Sequence, residues 1–306
     1  LLPFLINMKT FLDELFSLQV YPQFETRQEQ IEYAKVASTM VFESLYRQYI
    51  YDETSVDFMR LSSVGKTAAL DLAAKKFGVI PVGNISTVDA QQRLLFWSGD
   101  AFECWVYFQL RRLGYTVTTQ QVVYYNGVPG HIDFLCIRDD EKFVLETKTA
   151  NDYYFKQVSQ FGVGDERGYL TQLGGYAEAL GVPAYWLFVN KNTSELLVIT
   201  CEKELYAPRL KRLDTIINCL NSINTFEEAY EHLRPVPPSV ELYKGKPVLD
   251  DNGKPLLYVP SSVSHPDIHY VHETRKTKYS KTRKYVLGYN PLYSRSDVYD
   301  DALHQA

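Results

Sequence analysis

The sequence predicts an α/β fold: a central mixed sheet flanked by helices, with a helical N-terminal region and a small C-terminal extension. Three observations predict it. Two apolar runs, Ile132 to Ile137 and Phe143 to Leu145, flank the polar stretch Arg138 to Lys142 and read as strands joined by a tight turn. Segments with helical spacing stand on either side, at 97–114 and 169–180. Two more strand patterns, 184–190 and 195–201, follow the second helix, which makes that helix a crossover.

In chain order, residues 8–80 read as a mostly helical lead. Phe11, Leu12, Leu15 and Phe16 begin one amphipathic helix. Gln28 to Tyr51 holds a longer one, with Ile31, Ala34, Val41, Leu45 and Tyr46 spaced for burial. The string Met59 to Lys66 precedes an apolar helix at 67–77. Its serines can cap that helix, and Arg60, Ser63 and Lys66 form a candidate phosphate contact at the helix start. In 97–114, Phe102, Trp105, Val106, Gln109 and Leu113 recur at helical spacing. Ser98 is the expected cap, and Gly114 the stop. A strand at 116–125 leads into the hairpin. The helix from Tyr169 to Leu180 ends at Gly181, with Pro183 beyond. Helices near 203–221 and 225–233 close a core spanning 86–233, after a lead of 1–85. Arg234 to Pro238 changes the composition and opens an extension, 234–306. There Asp251-Asn252-Gly253 predicts a hairpin turn. The eleven residues from Arg275 to Tyr285 carry six basic side chains and two tyrosines. They suit a strip for single-stranded nucleic acid, and equally a solvated basic tail or a docking segment for an acidic partner.

A chain of 306 residues with 45% hydrophobic content can bury a sizeable core. Its net charge of −5 supplies no global attraction for nucleic acid, so any such binding must use local basic surface. The 24 tyrosines suit base stacking as well as core and rim. Cys104, Cys136, Cys201 and Cys219 have no C-x-x-C spacing and are expected as reduced core thiols in a reducing compartment. His265, His269 and His272 lie among Pro and Ser and are expected as solvated loop residues. No stretch approaches the ~18 apolar residues of a membrane span, and the opening residues lack the form of a signal peptide. Position 1 is not methionine, whereas Met8-Lys9 reads as a natural start, which would place residues 1–7 ahead of the native chain.

The hairpin carries the chemistry. Side chains alternate along a strand, so Glu146 and Lys148 share one face. If the turn centres on Asp139 and Asp140, Asp133 falls opposite Glu146, with Cβ atoms roughly 5 Å apart. Two carboxylates at that separation repel, and each has its pKa raised unless a cation lies between them. Magnesium, held by one or two carboxylates together with phosphate oxygens, fits that role and points to phosphate-ester chemistry. Lys148 would orient or help deprotonate the attacking water. A surface ion pair between Glu146 and Lys148 is the plainer alternative.

With Asp133 on one strand and Glu146-Thr147-Lys148 on the next, the sequence resembles the PD-(D/E)XK nuclease superfamily. Gln172-x-x-x-Tyr176, four residues apart on one helical face, resembles the motif of its RecB-type branch, which includes the nuclease domain of RecB and the nucleases of CRISPR adaptation. Gly99-x-x-x-Glu103 and Gly130-x-Ile132-Asp133 fall where that branch carries equivalent patterns. The resemblance implies a restriction-endonuclease-like core. It implies magnesium or manganese held by Glu103, Asp133, Glu146 and the carbonyl of Thr147, with Lys148 positioning the water. Gln172 and Tyr176 would hold a DNA end. Some members carry an iron–sulfur cluster on one cysteine before the core and three after it; these cysteines are not so arranged, and no cluster is expected.

The function expected is a metal-dependent DNA exonuclease acting from ends, with a preference for single strands, in the cytoplasm of a bacterial or phage-infected cell. A same-fold endonuclease is one alternative and a non-catalytic DNA-binding or scaffolding module the other. Removing Lys148 should spare metal binding and abolish cleavage, whereas Asp133→Ala should abolish both.

Overall fold

The structure, a computed structural model, describes residues 26–49, 59–79, 90–165, 167–233, 236–260, 263, 266–276 and 282–289. The expected helix beginning at Phe11 lies outside them, as do residues 1–7, His265, and 277–281 of the basic segment. The chain divides into two compact units, one from Leu1–Gly65 with Gly83–Lys211, the other from Lys66–Val82 with Arg212–Ala306. The sequence placed boundaries at 85 and 233; the short segment Lys66–Val82 groups with the C-terminal residues.

The first unit is built on a five-stranded mixed sheet: β1 (Thr116–Tyr125), β2 (Val128–Arg138), β3 (Glu141–Ala150), β4 (Ala184–Asn190) and β5 (Leu196–Thr200), in that spatial order. Neighbours are antiparallel except β3 and β4, which run parallel. A parallel pair needs a crossover. The chain supplies it with two helices between β3 and β4, α5 (Asp152–Phe161) and α6 (Tyr169–Leu180). The expected α/β architecture, a mixed sheet flanked by helices, is the one observed. Helix α5 was not expected; its signal is Asn151, whose side chain accepts from the Tyr154 backbone N–H as an N-cap.

Helix α4 (Ala90–Arg112) covers one face of the sheet. Its Val106 and Leu110 pack with Phe134, Cys136, Phe143, Leu145, Tyr185 and Leu187, the inward set of three strands. The helix starts earlier than the sequence suggests, so Ser98 is interior, its hydroxyl bonded to the Leu95 carbonyl rather than capping. Gly114, at φ +85°, ends it as expected. Helix α1 (Arg27–Tyr49) packs on α4, with the Tyr33 and Phe108 rings 4.2 Å apart. Ile31 and Ala34, expected in the core, are exposed. The side chains of Val41, Leu45 and Tyr46 lie outside the described residues.

Helix α6 lies against the sheet and against the short helix α2 (Leu61–Val64), and glycines let it approach. A Cβ added at Gly130 would sit 2.4 Å from the Tyr176 ring, and one at Gly175 2.9 Å from Leu61. A Cβ at Gly174 would sit 2.5 Å from the ring of Tyr206. Gly174→Val is therefore expected to destabilise the protein by about 1–3 kcal/mol through overpacking, read as a lower urea midpoint with an unchanged slope.

In the second unit, α3 (Ala69–Lys76) has Ala68 as its N-cap with no side-chain bond. The expected serine cap is absent because Ser62 and Ser63 are consumed in α2, the Ser63 hydroxyl bonding the Arg60 carbonyl. Lys76 instead donates to the carbonyls of Leu220 and Ile223, at the C-terminal end of α7 (Lys203–Ser222), where a cation suits the helix dipole. Helix α8 (Phe226–His232) follows, capped by Thr225. Short strands β6 (Ser239–Val240) and β9 (Leu257–Tyr258) join β10 (Tyr270–Lys276) and β11 (Thr282–Tyr289) in a four-stranded sheet, ordered β10-β11-β9-β6. Strands β7 (Leu242–Tyr243) and β8 (Lys246–Pro247) form a separate hairpin, and the expected turn at Asp251-Asn252-Gly253 is held by Asp250 Oδ1, which accepts from the N–H groups of Asn252 and Lys254.

Two expectations are corrected in this unit. The basic segment is not a loose tail over its described part. Arg275 and Arg283 face each other across the ladder, and Glu241 takes both Arg283 and the hydroxyl of the buried Tyr285. Nor is His269, on the short helix α9 (Pro266–His269), solvated: it is fully buried, its Nε2 2.8 Å from the carboxylate of the equally buried Asp71. His272 is half-buried, 3.4 Å from Asp267. None of the four cysteines is in a disulfide; Cys136 and Cys201 are buried, while Cys104 and Cys219 are only half-buried. Among the described residues no helix is long and apolar enough to cross a membrane.

Candidate active site

The β2–β3 hairpin turns at Asp139 and Asp140, with Asp139 at φ +51°. Its ladder runs from Arg138 opposite Glu141 to Phe134 opposite Leu145, the register expected from the sequence. The β2–β3 ladder ends there, while β3 continues along its other edge paired with β4 as far as Ala150. Asp133 therefore does not continue the ladder. Its Oδ2 instead accepts from both the backbone N–H and the hydroxyl of Thr147, at 2.8 and 2.9 Å.

Glu146 is 1% exposed. Its Oε1 accepts from Lys148 Nζ at 2.6 Å and from Gln172 Nε2 at 2.8 Å, while its Oε2 is buried without a hydrogen-bond partner. Gln172 also donates to the Tyr176 hydroxyl at 3.1 Å. Gln172 and Tyr176, expected to hold a DNA end, are buried, at 7% and 0% exposure. The close approach at Gly130 brings the Tyr176 ring against β2, where Tyr176 supports Gln172 and Gln172 holds Glu146.

The electrostatics are those of a site short of positive charge. Burial, with the charges of Asp133, Asp100 and Glu146, pushes Glu103 up to about 9, against the opposing pull of Lys148. Burial and then Asp133 push Glu146 up to about 7. Burial also raises Asp133, although Lys148 and the Thr147 hydrogen bonds work the other way. For Lys148, burial pulls downward, but Glu146 and Asp133 together outweigh it and the net shift is upward. The raised pKa favours the ammonium form of Lys148, which can donate and orient.

Beside these residues opens a cleft of about 440 Å³, lined by Gly99, Asp100, Phe102 and Glu103 from α4, by Thr147, Lys148 and Thr149 from β3, and by Tyr169 with Leu95 and Phe96. Glu103 Oε2 accepts from Gln120 at 3.3 Å, and Lys148 Nζ lies 5.3 Å from the centre of the Tyr169 ring. The carboxylates acting on Glu103 are those of Asp100, Asp133 and Glu146. As they stand, no three acidic, histidine or cysteine side chains among the described residues converge at metal-binding distance. The donor set nonetheless suits a hard divalent cation: carboxylate oxygens, one of them a buried orphan, opposed by a single ammonium.

Asp100 was not singled out from the sequence, though its position three residues before Glu103 puts both on one helical face. Arg60 and Ser63 do not line this cleft, and Lys66 belongs to the other unit.

No family model and no curated protein matches the chain. Among solved structures, it is similar to an alkaline exonuclease from Laribacter hongkongensis, at 16% identity over 56% of this chain and 93% of that one, with a TM-score of 0.34. The same exonuclease in complex with dAMP gives 15% identity, 53% and 91% coverage, and a TM-score of 0.34. The structure of SSO0001 gives 10% identity, 65% and 93% coverage, and a TM-score of 0.37. Likeness at these scores assigns neither activity nor substrate.

Proposed function

We propose that this chain is a divalent-metal-dependent deoxyribonuclease that hydrolyses phosphodiester bonds from DNA ends, with a preference for single strands. One observation carries the reading: Glu146, a buried carboxylate with one oxygen fixed by an ammonium and an amide and the other left without a partner. A structural ion pair would not leave that oxygen stranded, because a buried polar atom without a partner costs about 1–3 kcal/mol. Bringing an anionic phosphate to this group of carboxylates would add further repulsion, which only an additional cation can relieve.

Glu103, Asp133, Glu146 and the carbonyl of Thr147 are the groups that would hold magnesium or manganese. When bound, such an ion supplies Lewis-acid polarisation of the phosphate and a more acidic attacking water. Lys148 spends one donor on Glu146, which leaves others to orient a water or a phosphate oxygen. Gln172 fixes Glu146, and Tyr176 fixes Gln172, so both act as positioning residues. Tyr176→Phe is accordingly expected to lower kcat by about 10- to 100-fold with the KM for DNA unchanged. A rise in KM alone would return these residues to a DNA-gripping role.

The end-directed form of the proposal, and its placement in the RecB-type branch without an iron–sulfur cluster, rest on the resemblance of Gln172-x-x-x-Tyr176 and on the dispersed cysteines. The test is incubation with end-labelled linear and closed circular DNA, single- and double-stranded, with magnesium, with manganese and with neither. Metal-dependent loss of linear strands alone is expected. Cutting of circles would make the chain an endonuclease, and retention of DNA without nucleotide release would make it a binding module.

A further inference from the structure

Helix α4 presents to the cleft a face that phosphate chemistry does not require. Phe96, Gly99, Asp100 and Glu103 stand at i, i+3, i+4 and i+7, so they follow one another along a single face over roughly 10 Å. The acidic end meets Lys148 and Thr147, whereas the other end is apolar. Leu95 and Phe96 are 53% and 52% exposed although both line the cleft, and Phe102 and Tyr169 complete the lining. Between the two ends lies Gly99. A glycine inside a helix costs roughly 1 kcal/mol relative to alanine, and nothing local calls for one here. Gly99 is absent from the glycines with positive φ, and a Cβ added to it would meet no atom within 4 Å. A side chain at this position would project into the cleft that Gly99 itself lines.

We propose that Leu95, Phe96 and the open space over Gly99 form a nucleobase seat, which stacks one base of a single strand while its phosphate lies at the Glu103–Lys148 end. The inference deepens the nuclease reading and rests on it for the phosphate's position. The occupant follows from the juxtaposition. A free phosphate needs no aromatic wall and an apolar peptide needs no acid–ammonium floor, whereas a nucleotide carries an anionic end and a flat apolar face separated by a span of this order. Stacking tolerates any base, so the seat confers a preference for unpaired strands and not for sequence.

The test compares a deoxythymidine oligomer with an abasic oligomer of equal length and charge, by fluorescence anisotropy in a calcium buffer. The wild-type protein should favour the thymidine strand by roughly ten-fold or more, and Phe96→Ala should bring that ratio down toward one. Gly99→Leu should weaken thymidine binding to a similar degree while leaving the melting temperature equal or higher, since it removes a helix penalty. No base preference in the wild type, or an unchanged preference in either variant, overturns the seat. So does a change of oligomeric state in Phe96→Ser with the preference intact, which would assign this face to a second copy of the chain. Cleavage is not scored in these arms: failure to hydrolyse linear DNA sinks the nuclease reading, and anisotropy decides the seat separately.

Discussion

Lys148→Met is expected to lower phosphodiester hydrolysis by about 10³-fold, the cost of removing a donor aimed at developing charge, while the protein stays folded. It stays folded because the group left behind can neutralise itself. Glu146 already has its pKa pushed up to about 7 by burial and Asp133, and without the ammonium at 2.6 Å it takes up a proton more readily. The same proton then stands in the way of a metal ion. Divalent-cation affinity, measured by titration calorimetry, should therefore fall in this variant near neutral pH and recover as the pH is raised. The sequence alone suggests that metal binding is spared; the contact between Lys148 and Glu146 changes that expectation. Native hydrolysis rates in Lys148→Met would remove Lys148 from the chemistry, and the proposed mechanism with it.

The second large effect is on stability as a function of pH. Glu103 and Glu146 have folded-state pKa values of about 9 and about 7, both above the ordinary 4.5. Above 4.5 the unfolded chain releases these two protons while the folded chain keeps them, so stability falls as pH rises and the loss levels off above about pH 9. Each group contributes at most about 1.4 kcal/mol per pH unit over its own window. In a chelating buffer the melting temperature should thus fall by several degrees between about pH 5 and about pH 9. Saturating magnesium or manganese should restore it, with the larger rescue at the alkaline end, where fewer protons compete. A melting temperature that is flat over this range, or that magnesium does not raise, would leave the carboxylate cluster without its cation.

The hairpin and its register were legible because a polar break separates two apolar runs and alternation then fixes the faces. The partition of Glu146 was less so, since the sequence places it beside Lys148 without revealing that only one oxygen is satisfied. Spacing put Gln172 and Tyr176 on one side of a helix, but helical periodicity does not say which side meets the sheet. The available signal was glycine: Gly130 in the strand leaves room for the Tyr176 ring, and a side chain at such a contact is buried. His269 was misjudged because its partner Asp71 is 198 residues away, and its Pro- and Ser-rich neighbours suggested a loop. Strands of two residues, such as β6 and β9, are too short to show any period.

The contact between Asp71 and His269 has a further consequence during synthesis. Helix α3, with Leu70, Leu72, Ala73 and Ala74 on surfaces that end up buried, leaves the ribosome long before its partners do. At about 5–20 residues per second, a separation of 198 residues corresponds to roughly 10–40 s of waiting. The described strands of the first unit are all in hand by residue 200, whereas the second waits for residues around 269. Any pause or truncation between residues 200 and 269 therefore leaves a completed sheet attached to an uncovered apolar helix, the kind of nascent chain that chaperones retain and proteases remove.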